Sequence, residues 1–469
     1  MQVVGAGFDN RHDAQMPGKP LCVPSSAPFG FALLLASALS LLAGPARAQT
    51  PEPPKAEAPA VATASKAIAP LADLHGRIED LGGGLRLLRL WGTPQQRGYA
   101  HGRLLADTFT QVALPEFQAR FVRIPNLLVE ARRAIGRLIE YPEDLLQELD
   151  GLWQGLVDSG VTLTMPELGR AFDRTDLLLA NALDVFGLMG CSGFTVWGER
   201  AEGGGVLTAR NFDWPLTGVH MLEHTLLVVA HDGFGRATAS VAWPGYIGTV
   251  TGVSDDGVAG FLHVGTGEIT YLPEPSSWPT AIALRRILAN GAKGGDADAV
   301  FAFAKDQLGY TSPPAGYLTH VVLPTVPKGG APLAIFETDS HSVVKGQVGD
   351  GPFVLTNHFR TRTDGRGAGQ DSEKREKQLL DGLGKCAVEG DHVVSIDEAW
   401  QTLTLVDRGG RQAFGTLHSL VFRHDPWCFE LRIAELGEGG KSLVPATKSQ
   451  RRYVLRREQL FPAGGLPGK

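Results

Sequence analysis

Gly190-Cys191-Ser192-Gly193-Phe194-Thr195-Val196-Trp197 is followed, after Glu199-Arg-Ala-Glu-Gly-Gly-Gly205, by Val206-Leu-Thr-Ala-Arg210-Asn211-Phe212-Asp213-Trp214. Two β-rich runs separated by a glycine-rich turn predict an antiparallel hairpin. Pairing the two strands brings Arg210 and Asp213 back toward Cys191, nineteen positions earlier. A guanidinium near a thiol lowers its pKa and raises the thiolate fraction, and a carboxylate can hold an ammonium or orient a base. The structural alternative is an Arg-Asp surface pair beside a packed cysteine.

Further strands are expected beyond this hairpin, at Thr225 to Ala230 and Gly257 to Val264, then around Val321, Ile335 and Val354, and from Leu417 to Ile433. Helices are expected at Ala281 to Ala289, Asp296 to Leu308, Ser372 to Leu383 and Ile396 to Leu405. Before the hairpin, from Leu71 to Gly190, apolar spacing of three and four residues reads as mostly helical, and Thr164-Met-Pro-Glu167 reads as a capping box. A helical first part followed by strands, helices and hairpins is an α+β order, not an alternation of parallel units. No glycine-rich phosphate loop follows a strand and no G-x-S-x-G elbow is present, which removes weight from nucleotide chemistry and the common serine hydrolase plan.

The 469 residues carry 44 Lys+Arg against 50 Asp+Glu, a formal net charge of -6, so there is no basic excess for a nucleic acid backbone. At 43% hydrophobic residues the chain can bury a large core. Arg11 and Lys19 lead into the apolar run Phe29 to Ala43, which ends in Ala46-Arg47-Ala48, and residues 1–48 read as a secretory signal too short to remain as a membrane span. Residues 49–70, with five Pro and seven Ala, suit an extended spacer. Loss of the signal removes Cys22 and leaves Cys191, Cys386 and Cys428. An oxidising compartment would permit a Cys386–Cys428 bridge if geometry allows it.

His220-Met-Leu-Glu223-His224 has the H-x-x-E-H form of a zinc helix. Trp214-Pro215 before it and the β-branched run after it make it read as a strand entry, on which the two histidines would stand about 13 Å apart, too far for one ion. No metal and no cofactor is expected.

Beyond the hairpin, Leu90-Trp-Gly-Thr-Pro-Gln-Gln-Arg97-Gly98-Tyr99-Ala-His101-Gly102, Asn181-Ala182, Leu355-Thr356-Asn357-His358 and Gly415-Thr-Leu-His-Ser419 complete an ordered set. Together with Gly190-Cys191-Ser192 and Arg210-Asn211-Phe212-Asp213 it resembles the penicillin acyltransferase family (acyl-coenzyme A:isopenicillin N acyltransferases) of self-processing cysteine hydrolases, over roughly residues 85 to 435. More distantly it is similar to choloylglycine hydrolases, penicillin V acylases and acid ceramidase, all N-terminal nucleophile hydrolases. The resemblance implies a four-layer αββα sandwich with an N-terminal helical segment. It also implies a precursor cut between Gly190 and Cys191, giving a helical fragment that ends at Gly190 and a catalytic fragment 191–469 that remain associated.

In that family the freed α-amine of the cysteine serves as its general base. The resemblance carries Asp213 to the amine, Arg210 to the thiol, Asn357 to the oxyanion hole and Arg375, in Asp371-Ser-Glu-Lys-Arg375, to a later active-site arginine. A backbone N–H near His263 would be the second oxyanion donor. His101, His358 and His418 lie in matching motifs and read as structural. The implied reaction is cleavage of a linear N-acyl amide through a thioester on Cys191, with a small-molecule substrate. Two alternatives remain open at this point: a papain-type peptidase with a separate histidine, and a binding protein on a hydrolase scaffold.

Overall fold

The computed structural model describes residues 73–463 except 187–189, 216–219, 232–235, 266–272, 291–295, 363–368, 390, 410–413 and 439–441. The expected signal and spacer lie outside the described residues. The segment before Cys191 is not purely helical. It opens with a hairpin, β1 (Gly76–Asp80) and β2 (Arg86–Leu90). The helices α1 (Pro94–Leu104), α2 (Ala106–Gln111), α3 (Ala113–Phe121), α4 (Pro125–Ala134) and α5 (Glu143–Asp158) follow. Leu85, Leu87 and Leu88 are fully buried, so the apolar run is read in a sheet where local spacing suggested helix. The expected capping box at Thr164 is absent. Thr164–Met165 (β3) instead pairs with Arg170–Ala171 (β4) around a single 3-10 turn, before α6 (Arg174–Ala180).

From Gly190 the chain runs β5 (Gly190–Trp197), β6 (Val206–Pro215), α7 (His220–Glu223), β7 (Leu226–His231), β8 (Ala237–Ala242), β9 (Thr251–Ser254) and β10 (Ala259–Val264). Next come α8 (Thr280–Asn290), α9 (Ala297–Leu308), β11 (Tyr317–Val322), β12 (Leu333–Thr338), β13 (Val343–Lys345), β14 (Phe353–Leu355), α10 (Gln370–Glu389) and α11 (Ile396–Thr404). The chain closes with β15 (Phe414–Arg423), β16 (Cys428–Ile433), the short pair β17 (Glu435–Leu436) and β18 (Leu443–Val444), β19 (Arg452–Leu455) and α12 (Arg457–Leu460). Segment 220–223 is thus one helical turn where a strand entry was expected. No group of three or more potential metal ligands occurs among the described residues.

The described strands form a nine-stranded sheet, ordered β1-β2-β7-β8-β9-β10-β11-β12-β13, and a six-stranded sheet, ordered β14-β5-β6-β15-β16-β19. Leu227, Val229 and Phe261 of the first pack against Leu420, Phe422 and Leu431 of the second, so the sheets lie face to face. Helices α8 and α9 cover the outside of the first through Leu284, Leu288 and Phe301, while α10 and α11 cover the second through Leu379, Leu383 and Trp400. The four layers run helix, sheet, sheet, helix, which is the αββα sandwich. No helix among the described residues is long and apolar enough to cross a membrane.

The residues on either side of Gly190 are built into one body. Strand β2 pairs in parallel with β7, so the first hairpin extends the larger sheet. Helices α1 and α5 meet backbone to backbone across two glycine pairs. A Cβ on Gly98 would stand 1.8 Å from the Glu148 carbonyl oxygen, and one on Gly151 would stand 2.2 Å from that of Gln95. At this crossing Glu148, 1% exposed, accepts from Arg97 Nη2 at 2.9 Å and from Arg285 Nη1 at 2.9 Å, which ties α1 and α5 to α8.

Candidate active site

Cys191 stands at the start of β5, and the ladder sets Gly190 opposite Asp213, Cys191 opposite Phe212 and Gly193 opposite Arg210. Side chains alternate along a strand, so Arg210 shares the inter-sheet face with Cys191 while Asp213, three residues on, points to the other face. Gly193 permits the close approach: a Cβ there would lie 2.5 Å from the Ala209 carbonyl oxygen.

Each atom of Cys191 that can react or polarise meets a separate side chain. Arg210 Nη2 donates to Sγ at 3.0 Å. The backbone N–H donates to Asn357 Oδ1 at 3.0 Å, and Arg375 Nη1 donates to the Cys191 carbonyl at 2.6 Å. Arg375 Nη2 also holds Asn357 Oδ1 at 2.8 Å, and Asn357 Nδ2 donates to the Val264 carbonyl at 2.8 Å. This donor and acceptor pattern fixes the orientation of the amide, because a flip would set Nδ2 against two donors and Oδ1 against a carbonyl. Asn357 therefore contacts the cysteine backbone through its oxygen, and its nitrogen is engaged with β10.

Arg210 is fully buried and pinned. Nη1 donates to the Val250 carbonyl and, at 2.7 Å, to Thr251 Oγ1, while Nη2 also reaches the Leu262 carbonyl at 2.6 Å. The expected lowering of the thiol pKa does not follow. Burial pushes the Cys191 thiol up and outweighs the opposing Arg210 charge, and the Asp213 carboxylate adds to the rise. In the uncut chain the sulfur is a neutral thiol donating toward the Leu262 carbonyl at 3.5 Å.

Asp213 is held on the helix-facing side by Thr416 Oγ1 at 2.6 Å and Arg408 Nε at 3.1 Å. Arg408 also pairs with Asp371, which accepts from Arg375 Nε at 3.0 Å, so one chain of charges joins Asp213 to Arg375. Arg408 was not singled out in the sequence, and Asp371 and Thr416 stood in quoted stretches without a role, since nothing local marks their link to Asp213. Thr416 could have been found only through strand register, and a bulge between Thr416 and His418 alters that register.

The histidines have other partners. His101 Nε2 accepts from the Gly245 N–H at 3.0 Å, and burial lowers its pKa to about 4. His358 Nδ1 meets Ser372 Oγ at 2.9 Å, and its Nε2 lies 3.2 Å from Glu376. His418 stacks on Phe212 with ring centroids 4.7 Å apart, and its Nε2 meets Thr251 Oγ1 at 2.9 Å. His263 is buried between the sheets, with its pKa pushed well down by burial and then by Arg210. No hydrogen bond joins any of these imidazoles to Sγ among the described residues. Cys386 Sγ donates to the Gly382 carbonyl at 3.4 Å and Cys428 lies beside Glu430, with no bond between the two sulfurs.

On the far side of Phe212 lies an apolar cavity, partly open to solvent. Phe109, Phe117 and Leu183 line it from before the Gly190–Cys191 bond, and Phe212, Trp243 and Tyr246 from after it.

No family model matches the chain. It is 26% identical over 204 residues to an uncharacterized protein of Archaeoglobus fulgidus, covering 40% of this chain and 34% of the relative. It is 27% identical over 193 residues to the protein dcd1B of Dictyostelium discoideum, covering 36% of each. The chain thus spans about a third of the length of the curated relatives it matches. Among solved structures, it is similar to a Caenorhabditis elegans ortholog of N-acylethanolamine-hydrolyzing acid amidase, with 12% identity, a TM-score of 0.34, and coverage of 56% of this chain and 100% of that one. A mutant conjugated bile acid hydrolase from Clostridium perfringens gives 10% identity, a TM-score of 0.35, and coverage of 57% and 97%. Penicillin V acylase from Agrobacterium tumefaciens gives 14% identity, a TM-score of 0.34, and coverage of 55% and 87%. The layer order of the sandwich rests on the sheets and helices described above.

Proposed function

We propose that this chain is an exported, self-processing cysteine amidohydrolase that cleaves a linear N-acyl amide. The observation that carries the reading is Cys191 itself, whose sulfur, backbone nitrogen and carbonyl each meet a different polar side chain at the start of a strand. A peptidase that relied on a separate histidine would need an imidazole on the thiol. A grip on the cysteine's own backbone nitrogen instead suits a residue whose nitrogen becomes part of the chemistry.

The steps balance without a co-reactant other than water. The Cys191 thiol gives up its proton and attacks the Gly190 carbonyl carbon. The C–N bond to Cys191 breaks, the nitrogen takes the proton, and Gly190 becomes a thioester. Water hydrolyses that thioester, freeing the Gly190 carboxylate and the Cys191 thiol and amine. An α-amine has a pKa of about 7.7 to 8.0, so near neutral pH it can take the proton of its own thiol, which is otherwise held neutral by burial. The thiolate then attacks the substrate carbonyl, the amine departs, and water releases the acyl group. Arg210 and Arg375 would stay fixed while the charge moves, and preorganised donors lower a barrier in this way. Water is the proposed acceptor, because an exported enzyme would not meet coenzyme A thioesters.

Denaturing electrophoresis with N-terminal sequencing is the test. The larger fragment should begin Cys-Ser-Gly-Phe, and Cys191→Ala should remain one uncut, inactive chain. A single uncut band with full activity, or a processed Cys191→Ala protein, would overturn the reading.

A further inference from the structure

Asp213 does not meet the cut bond alone. It stands opposite Gly190 in the ladder, and residues directly opposite share a face of the sheet. Cutting the Gly190–Cys191 bond leaves the new amine one residue from that position. A bare carboxylate there would hold the amine as an ammonium, since a neighbouring opposite charge favours the charged form. An ammonium cannot take a proton from the thiol. Both Asp213 oxygens are already engaged, Oδ1 by Thr416 Oγ1 at 2.6 Å and Oδ2 by Arg408 Nε at 3.1 Å.

Arg408, between α11 and β15, is held in place through Thr416. Its N–H donates to Thr416 Oγ1 at 2.8 Å and its carbonyl accepts the Thr416 N–H at 2.9 Å, while Thr416 is the ladder partner of Asp213. The Arg408 side chain is 23% exposed and Asp213 is fully buried, so solvent screens the pair little. Arg408 Nη2 carries the link to Asp371 in the first turn of α10. One turn on stands Arg375, whose Nη1 holds the Cys191 carbonyl. From Asp213 to Arg375 the signs run minus, plus, minus, plus, and the four charges cancel. Asp371, 62% exposed, is the most screened of them. Among the described residues the other charged or titratable groups around Cys191 are Arg210 on β6 and the imidazoles of His263 on β10, His320 on β11 and His418 on β15, all three kept neutral by burial.

We infer that Arg408 is a positioning residue for the reaction at Cys191: by neutralising Asp213 it lowers the pH at which the freed amine and the thiol together give up their first proton and become competent to attack. The inference rests on the amidohydrolase reading and deepens it. Arg408 touches no reacting atom and acts through Asp213. Without its charge the row carries one excess negative charge, and the amine and thiol, which titrate as a coupled pair, lose that proton only at higher pH. Without the Asp371 charge the row carries one excess positive charge, and the same proton leaves at lower pH.

The experiment needs no substrate. Processed protein is treated with iodoacetamide across a range of pH, and the alkylation rate of Cys191, which follows its thiolate fraction, is read from the mass of the tryptic peptide 191–200. The midpoint of that profile should rise by about one pH unit in Arg408→Gln and stay within about 0.3 unit of the parent in Arg408→Lys, which keeps the charge. In Asp371→Asn it should fall, and by less, because Asp371 is the more exposed. A merely structural role would lower the plateau and leave the midpoint in place. The midpoint is read on the folded, processed fraction and does not depend on its yield. An unmoved midpoint in Arg408→Gln, or an equal rise in Arg408→Lys, would overturn the inference while leaving the amidohydrolase reading intact. If Arg408→Gln yields no processed protein, Asp371→Asn decides alone, and a midpoint unmoved or raised there overturns the inference. A parent protein that is never cut, with Cys191 inside a longer tryptic peptide, would instead overturn the amidohydrolase reading.

Discussion

On one side of Phe212 the sulfur, nitrogen and carbonyl of Cys191 each meet a polar side chain, while on the other lies a cavity walled mostly by aromatic and aliphatic side chains. The first region is arranged around atoms already in the chain, as a site should be whose first substrate is its own peptide bond. The second is lined by side chains from both sides of the Gly190–Cys191 bond. One sheet face thus holds the candidate reaction centre and one wall of an apolar cavity a single residue pair apart.

The largest expected effects break the first region. Cys191→Ala should abolish both the cut and turnover, and intact mass together with an amine-release assay reads both. Asn357→Ala removes the acceptor of the Cys191 N–H and one partner of Arg375, and should slow turnover by about 10²–10³-fold, the range found when one preorganised polar group leaves a reaction centre. A loss under tenfold would mean that the backbone grip is merely structural.

The contrast between the regions also explains what could be read in the sequence. The hairpin and the pairing of Cys191 with Arg210 were legible, because a glycine-rich turn between β-rich runs fixes register locally. The opposite facing of Arg210 and Asp213 was available in the same lines, since residues three apart on a strand lie on opposite faces, but grouping them by motif hid it. The αββα order came from resemblance and not from periodicity. The roles of Arg408 and Asp371 could not be seen, because Arg408 stands 195 positions from Asp213 and 37 from Asp371 and the link has no local signature. The first hairpin was missed for a related reason: Arg86–Leu90 is a strand only because β7 lies beside it. The glycine pairs that join α1 to α5 sit 53 positions apart and have meaning only together, as Gly98 against the Glu148 carbonyl shows.

An intermediate effect tests whether the regions are mechanically separable. Glu148→Gln leaves Arg97 and Arg285 buried around a neutral amide and should cost about 3–5 kcal/mol in urea unfolding, as does breaking a buried ion pair by removing one partner. The helix crossing it secures reaches the cavity wall through His101, which accepts the Gly245 N–H, and touches none of the Cys191 contacts, so the fraction that folds should still process at Gly190. Loss of processing in that folded fraction would show that the two regions are one unit.

The smallest effect concerns charge, and its sign differs between two buried groups of the helical side. His101, lowered to about 4, contributes stability that is full above pH 6.5 and is lost as pH falls through 4. Asp184, raised to about 6, contributes stability that is full below pH 3.8 and is lost as pH rises through 6. Between these limits the unfolded chain binds the proton that His101 refuses and releases the one that Asp184 keeps, so their slopes oppose. His320 and His424, both lowered to about 3 by burial, add to the His101 slope without an opposing acid, and net stability should rise with pH across the window. Asp184→Asn removes the one opposing group of this set and keeps a helix-capping oxygen. The rise should steepen by up to about 1.4 kcal/mol per pH unit, the value for one proton, and urea midpoints between pH 4 and 6 measure it. An unchanged slope would mean that Asp184 takes up its proton no more readily in the folded chain than in the unfolded one.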